Sequence, residues 1–318
     1  MQAFITLAAF LVTLGVLVSF HEFGHFLAAR MCGVRVLRFA IGFGKPLFTY
    51  RAKNQTEWVL AAIPLGGYVK LLDGRDPEQV ITAQNKAEAF DEKKLWQRSW
   101  IVAAGPLANF LLSIILFAVI YVSGVPQLPA VLDSPPESSL AAKLGLVQGD
   151  RVVGWQDLTD EQEHIQDDRF ESIPSWNALR WELLNSVIAQ QGFALELRTA
   201  SGARITKIFS AADLPMLTPE SDPMQALGIK PIVSSSSTWQ ELQLGPLDAL
   251  AYASHRVWLI TKVSVRLMAG IVTGKTSIKQ LGGPLSIADM AGKSAQVGWQ
   301  PYLAFLALMS ISIGLLNL

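Results

Sequence analysis

The sequence predicts a polytopic α-helical membrane protein with a small β-hairpin or sheet beside its first span and an inserted α+β domain. Three observations carry this. Of 318 residues, 51% are hydrophobic and the mean hydropathy is +0.33, values that belong to membrane proteins. Three runs are free of charge: Ala3 to Phe20, Ser99 to Leu132 and Tyr302 to Leu318. Between them lie a glycine-rich segment of β-formers and a long acidic segment of mixed, soluble character.

The first span is predicted over residues 1–30, because Phe26 to Ala29 continues the apolar run beyond His21-Glu22-Phe23-Gly24-His25. Roughly 20 apolar residues cross a bilayer, and ionisable groups inside such a helix are costly enough to suggest function. On a helix His21 and His25 share a face, so both imidazoles can reach one metal ion. Glu22 is rotated by about 100° and can act on a water held by that ion without being a ligand. This is the geometry of a zinc hydrolase inside a membrane. A histidine pair that merely hydrogen-bonds on a polar helix face would leave three polar residues in an apolar run unexplained. The N-terminus has no basic stretch and no small-residue cleavage site, so the run is expected to be retained.

Net charge is zero but unevenly spread. Arg30 to Arg98 carries 12 Lys+Arg against 7 Asp+Glu, Pro126 to Asp248 carries 8 against 17, and the rest from Ala249 carries 6 against 1. The positive-inside rule places 31–98 in the cytoplasm and the acidic segment outside. The single cysteine, Cys32, excludes an intrachain disulfide and reads as a small residue at the membrane edge.

Within 31–98, Val34 to Lys70 alternates β-formers with Gly and Pro and predicts short strands and turns. Gly42-x-Gly44-Lys45 lacks the glycine spacing and the following helix of a phosphate loop. A hairpin that takes an extended peptide along its edge and a purely structural hairpin both fit. Asp73 to Lys94 reads as a polar cytoplasmic linker with a helical end. The second span is predicted over 99–125, with Gly105-Pro106-Leu107-Ala108-Asn109-Phe110 near its cytoplasmic end, where small residues permit close helix contact. Asn109 either bonds a reacting peptide or braces a neighbouring helix.

Residues 126–212 predict an α+β domain: a helical turn, a glycine turn and a strand over Ser138 to Gly154, a helix over Ser175 to Gln190, and strands Phe193–Arg198 and Arg204–Phe209 around Ser201-Gly202. The acidic stretch Asp157 to Glu171, with His164, reads as a loop. Residues 213–248 read as a linker containing Ser234 to Ser237. In 249–300, His255, Arg256, Lys262 and Arg266 fall within an arc of about 120° on a helix, which predicts an amphipathic helix lying on the bilayer. A Gly282-Gly283-Pro284 turn and a polar loop follow. Residues 301–318 begin a third span.

Ser139-Leu-Ala-Ala-Lys-Leu-Gly-Leu-Val-Gln-Gly149-Asp150 resembles the S-x-A-x-x-A-G-L-x-x-G-D run of PDZ domains, with Leu144 in place of the second alanine. HEFGH, IGFGK, IPLGGYVK, GPLANF, this PDZ-like insert and GGPLSIA together resemble the site-2 protease family of intramembrane zinc metalloproteases, RseP/MucP type. The resemblance implies a multi-pass protein of the bacterial inner membrane, with HExxH near the cytoplasmic side and the PDZ-like domain in the periplasm. It implies that His21 and His25 bind Zn2+ and that Glu22 is the general base. The implied substrates are single-pass transmembrane proteins of the anti-sigma-factor type, already shortened outside by another protease. The glycine-rich hairpin would hold the substrate as an added strand, and the PDZ-like domain would filter substrates by size. Gly42, Gly44, Gly66, Gly67, Asn109 and Asn317 are the substrate-binding candidates. The bilayer is the other expected partner, and no nucleic acid is expected.

Two departures stand out. The family commonly has tandem PDZ domains, and only one fits here. Its third zinc ligand is an Asp in N-x-x-P-x-P-x-L-D-G, of which Asn317 and Leu318 resemble the start, so the chain is expected to be truncated at its C-terminus. Asp289 falls in the predicted outer loop and is not a substitute. The alternative is a catalytically silent, membrane-anchored PDZ adaptor that lacks the third ligand.

Overall fold

Among the described residues three helices are long and apolar enough to cross a bilayer: α1 (Gln2–Met31), α2 (Leu95–Val122) and α8 (Trp299–Leu316). They belong to a computed structural model that describes residues 2–158, 170–215, 223–232, 239–272 and 283–318. The chain divides into two units, Met1–Ile120 with Gly282–Leu318, and Tyr121–Leu281. His164, Ser234 to Ser237 and Gly282 lie outside the described residues.

In the first unit α1 and α2 approach through small residues. A Cβ on Gly24 would lie 2.3 Å from the Ala104 carbonyl oxygen and 2.7 Å from Ala108 Cβ, the close backbone approach that small residues allow between membrane helices. α2 begins at Leu95, four residues before the expected start, so Arg98 and Trp96 form its first turn. α8 lays Leu306, Ala307, Ser310 and Ile311 inward. Its Ser310 hydroxyl donates to the Asn109 carbonyl at 2.8 Å, and Ser113 of α2 donates to the Ala307 carbonyl at 3.0 Å.

The expected polar loop after Gly283 is instead a helix, α7 (Pro284–Val297). Gly283 is its N-cap and Pro284 its first residue, so the Gly-Pro pair starts a helix where it read as a turn. Asp289 and Lys293 pair at 2.6 Å across one helical turn, which supports the helix. α7 packs on α1, where a Cβ on Gly292 would lie 2.2 Å from Thr6 Oγ1.

β1 (Val36–Arg51) and β2 (Glu57–Leu71) form an antiparallel pair more folded than a hairpin. Residues 38–41 pair with 67–70 in descending order and also with 57–60 in ascending order, while 46–51 pair with 57–61. Each long strand is thus doubled back, which places four chain segments side by side. The bends fall at Gly42 (φ +89°), Gly44 (φ +87°) and Gly66 (φ +118°), left-handed or mirror-β conformations that glycine adopts at no steric cost.

The second unit is α+β. β4 (Arg151–Asp157), β5 (Glu171–Ser172), β6 (Phe193–Arg198) and β7 (Arg204–Phe209) form an antiparallel sheet in the order β5-β4-β6-β7. The last two strands match their predicted bounds. α4 (Trp176–Ala189) starts at an N-cap where the Ser175 side chain accepts from the Ala178 N–H. Trp155, Phe193 and Phe209 stack at centroid separations of 4.3 and 4.6 Å, over Leu179, Leu183 and Val187 of α4. Short elements complete it: β3 (Val125–Gln127), α3 (Leu140–Lys143), α5 (Pro223–Leu227) and β8 (Gln240–Leu242). β3 pairs with β8, so the predicted linker contributes a helix and a strand.

α6 (Pro246–Val272) spans the predicted amphipathic helix. Its polar face meets α4: His255 Nε2 lies 3.2 Å from Glu182 Oε1, Arg256 Nη2 donates to Asn177 Oδ1 at 3.4 Å, and Arg266 Nη1 donates to the Asn185 carbonyl at 3.1 Å. Leu247, Leu250, Trp258, Val265 and Met268 are exposed on the same helix.

Candidate metal centre

The His21-Glu22-Phe23-Gly24-His25 run lies in α1, within a span that is uncharged for the eighteen residues before it. A continuous helix brings His21 and His25 together: their rings stand edge to face with centroids 4.8 Å apart, and the two Nε2 atoms are 3.2 Å apart. Two nitrogens bound tetrahedrally at 2.0–2.1 Å to one zinc ion stand about 3.3 Å from each other. The pair therefore has the separation one ion requires.

The opposite ring edges are held from α2. His25 Nδ1 is 2.7 Å from the Ile101 carbonyl oxygen. A carbonyl only accepts, so Nδ1 carries the proton and the Nε2 lone pair faces His21. Asn109 Nδ2 is 3.2 Å from His21 Nδ1, while the buried Asn109 Oδ1 has no partner among the described residues. A half-turn of the amide exchanges its two ends. With Oδ1 toward the ring, Asn109 accepts from Nδ1–H and both Nε2 lone pairs are free for one ion. The orphaned oxygen and the fixed Nδ1–H of His25 are what a metal-binding pair needs.

Gly105 supplies the space. A Cβ there would lie 2.2 Å from His25 Nε2. Ile101, Gly105 and Asn109 recur every four residues and so share one face of α2, offering in turn a carbonyl, a gap and an amide to the α1 histidines. Sequence reasoning found Asn109 and missed Ile101 and Gly105. The matching four-residue spacing of the two motifs was the available signal.

Glu22 is half buried and stands against the sheet: a Cβ on Gly67 would lie 3.1 Å from Glu22 Cγ, 3.0 Å from Val18 Cγ1 and 2.8 Å from the Ala40 carbonyl oxygen. Gly67 thus lets β2 run close against the Glu22 side chain. Among the described residues segment 67–71 pairs as a strand on one side only, with β1, and the Leu71 carbonyl accepts from Gln79 Nε2 at 3.1 Å. Gly66 sits over the Phe43 ring, and Gly42 against the Ile63 carbonyl. Gly44 stands against the Ile63 side chain, and these four glycines shape the sheet that Glu22 faces. Asn317 is not brought to the histidines; it is exposed, and its Nδ2 donates to the Ile313 carbonyl at 2.8 Å, ending α8. Among the described residues no third carboxylate, His or Cys joins the pair.

The arrangement of two convergent imidazoles and one adjacent carboxylate suits hydrolysis. The comparisons with known proteins agree. The Peptidase family M50 model matches residues 9–318. A protein of Ralstonia nicotianae named as a zinc metalloprotease is 30% identical over 99% of this chain and 87% of its own length. Regulator of sigma E protease of Haemophilus influenzae is 30% identical over 98% and 86%, and regulator of sigma-E protease RseP of Escherichia coli K12 is 30% identical over the same shares. The Ralstonia match runs over 409 positions against the 318 residues of this chain, so at least 91 of them have no counterpart here. The chain belongs to peptidase family M50, the site-2 proteases, and is a metalloprotease.

Proposed function

We propose that this protein is an intramembrane zinc protease that cuts single-pass transmembrane substrates of the anti-sigma-factor type in the bacterial inner membrane. The observation that carries the reading is the 3.2 Å approach of His21 and His25 Nε2 on a helix apolar enough to cross a bilayer, with Glu22 beside them. The names of the relatives, regulator of sigma E protease among them, support the substrate class. His21 and His25 would hold the zinc, which when bound supplies a Lewis acid for the scissile carbonyl and a lowered pKa for water.

The protein's own groups do the rest. Glu22 takes a proton from the attacking water as the new C–O bond forms, then gives it to the amide nitrogen as the C–N bond breaks. A substrate helix must first unwind, because its carbonyls are engaged in backbone hydrogen bonds. Pairing with the outer edge at 67–70 would offset that cost, and would set the extended peptide along Gly67 next to Glu22. The charge distribution supports a cytoplasmic placement for the sheet and an external one for the α+β domain. That domain, whose run from Ser139 to Asp150 resembles a PDZ domain, would limit which substrates enter.

The test is cleavage of a single-pass substrate by the protein in proteoliposomes. Glu22→Gln should lower the rate by about 10²–10⁴, the usual contribution of a general base, while zinc content is unchanged. Equal rates for the two proteins would refute the assignment.

A further inference from the structure

A second group of metal-ligating side chains lies in the Tyr121–Leu281 unit, far in sequence from the histidine pair. Glu171 opens β5, the short partner of β4, Glu182 lies on α4 and His255 on α6. Their donor atoms all fall within 4.8 Å of one another. His255 Nε2 is 3.2 Å from Glu182 Oε1 and 3.5 Å from Glu171 Oε2. Donors bound tetrahedrally at 2.0–2.1 Å stand about 3.3 Å apart, so both separations from His255 are close to those around one ion.

The setting adds to the distances. The cluster opens into a cavity of about 360 Å³ that Trp181 and Tyr252 also line. The Glu182 side chain is only 9% exposed and faces His255, and a buried carboxylate is stabilised by a cation placed beside it. The nearby Arg256 guanidinium is engaged by the Tyr121 hydroxyl at 2.6 Å and by Asn177. One imidazole with two carboxylates is a mixed N/O set, suited to zinc and its neighbours and poor for magnesium or calcium, which prefer all-oxygen sites. Three protein ligands leave a fourth position for water.

We infer that Glu171, Glu182 and His255 form a second metal site, for a divalent transition-metal ion of the zinc type, which ties β5 and α4 to α6. The ion bridges three elements, of which α4 and α6 also meet through side-chain hydrogen bonds. Binding there fixes the α+β domain on α6 and so links metal supply to the rigidity of the unit outside the catalytic centre.

The experiment removes the catalytic ligands first. The full chain carrying His21→Ala and His25→Ala, purified in detergent, is dialysed against ZnCl2 and its zinc counted, and Co2+ is added in parallel to read the visible band of a tetrahedral N/O site. About one zinc per chain and a cobalt band are expected. Adding His255→Ala should abolish both. Glu171→Gln, at a side chain 61% exposed and so without effect on packing, should weaken zinc binding at least tenfold, because even outer partners of a ligand cost about 10–100-fold. No zinc uptake in the doubly substituted protein, or equal uptake with Glu171→Gln, would overturn the inference.

Discussion

Replacing Gly105 by alanine is expected to disable the metal centre through a single methyl group. The added Cβ would lie 2.2 Å from His25 Nε2 and 2.5 Å from Cε1, more than an ångström inside ordinary contact, so the imidazole must move. It cannot move and keep the 2.7 Å bond from Nδ1–H to the Ile101 carbonyl. Overpacking costs about 1–3 kcal/mol, and the lost hydrogen bond about 0.5–1.5 kcal/mol. The sum, about 1.5–4.5 kcal/mol, is large for one methyl. A displacement near 1 Å at a catalytic group costs about 10² in rate, and the 3.2 Å separation of the Nε2 atoms is lost with it. The control is Gly15→Ala in the same helix as the histidines, where a Cβ meets nothing within 4 Å. That change should be neutral or stabilising, since alanine is favoured over glycine in a helix by up to about 1 kcal/mol. Zinc content, thermal unfolding in detergent and cleavage rate are measured for both. Full zinc and full activity in Gly105→Ala would refute the placement of His25.

Asn109→Leu, close in volume, removes the partner of His21 Nδ1 and should lower zinc affinity about 10–100-fold, read by competition with a chelator. Gly67→Val places a side chain against the Ala40 carbonyl and Glu22; cleavage should fall while zinc content holds, and unchanged cleavage would remove the sheet from the site. In the metal-free protein the contact of α4 with α6 is pH-dependent. The hydrogen bond to Glu182 holds His255 above its ordinary value of 6.5, and burial holds Glu182 above its ordinary 4.5. Both folded-state values are raised, so both contributions are complete at low pH and are lost as pH rises through the raised values. Amide exchange in α4, corrected for intrinsic rate, should therefore quicken as pH rises above about 6.5, and His255→Gln should remove the upper part of that dependence.

The elements legible in the sequence were those with strong local signals. The HExxH motif shows itself because charge inside an apolar run has few explanations, and β6 and β7 show themselves because Phe193–Arg198 and Arg204–Phe209 alternate around a glycine turn. What stayed hidden depended on partners. α7 mixes Asp289, Lys293 and Ser294 with apolar residues, and its reason to be helical is the seat of Gly292 on Thr6 of α1. The doubled register of β1 and β2 is a pairing choice that alternation alone cannot express. The polar arc of α6 was legible, but not that it faces Glu182, Asn177 and Asn185 of α4. Gly105 read as a helix-contact residue, and only the position of His25 shows which contact it serves.

The central claim is that His21 and His25 hold the catalytic zinc. The most direct measurement is zinc per chain in protein that carries His255→Ala, which removes the second site, compared with the same protein carrying His21→Ala and His25→Ala as well. About one zinc in the first and none in the second is the predicted result. Zinc retained after loss of both histidines would contradict it.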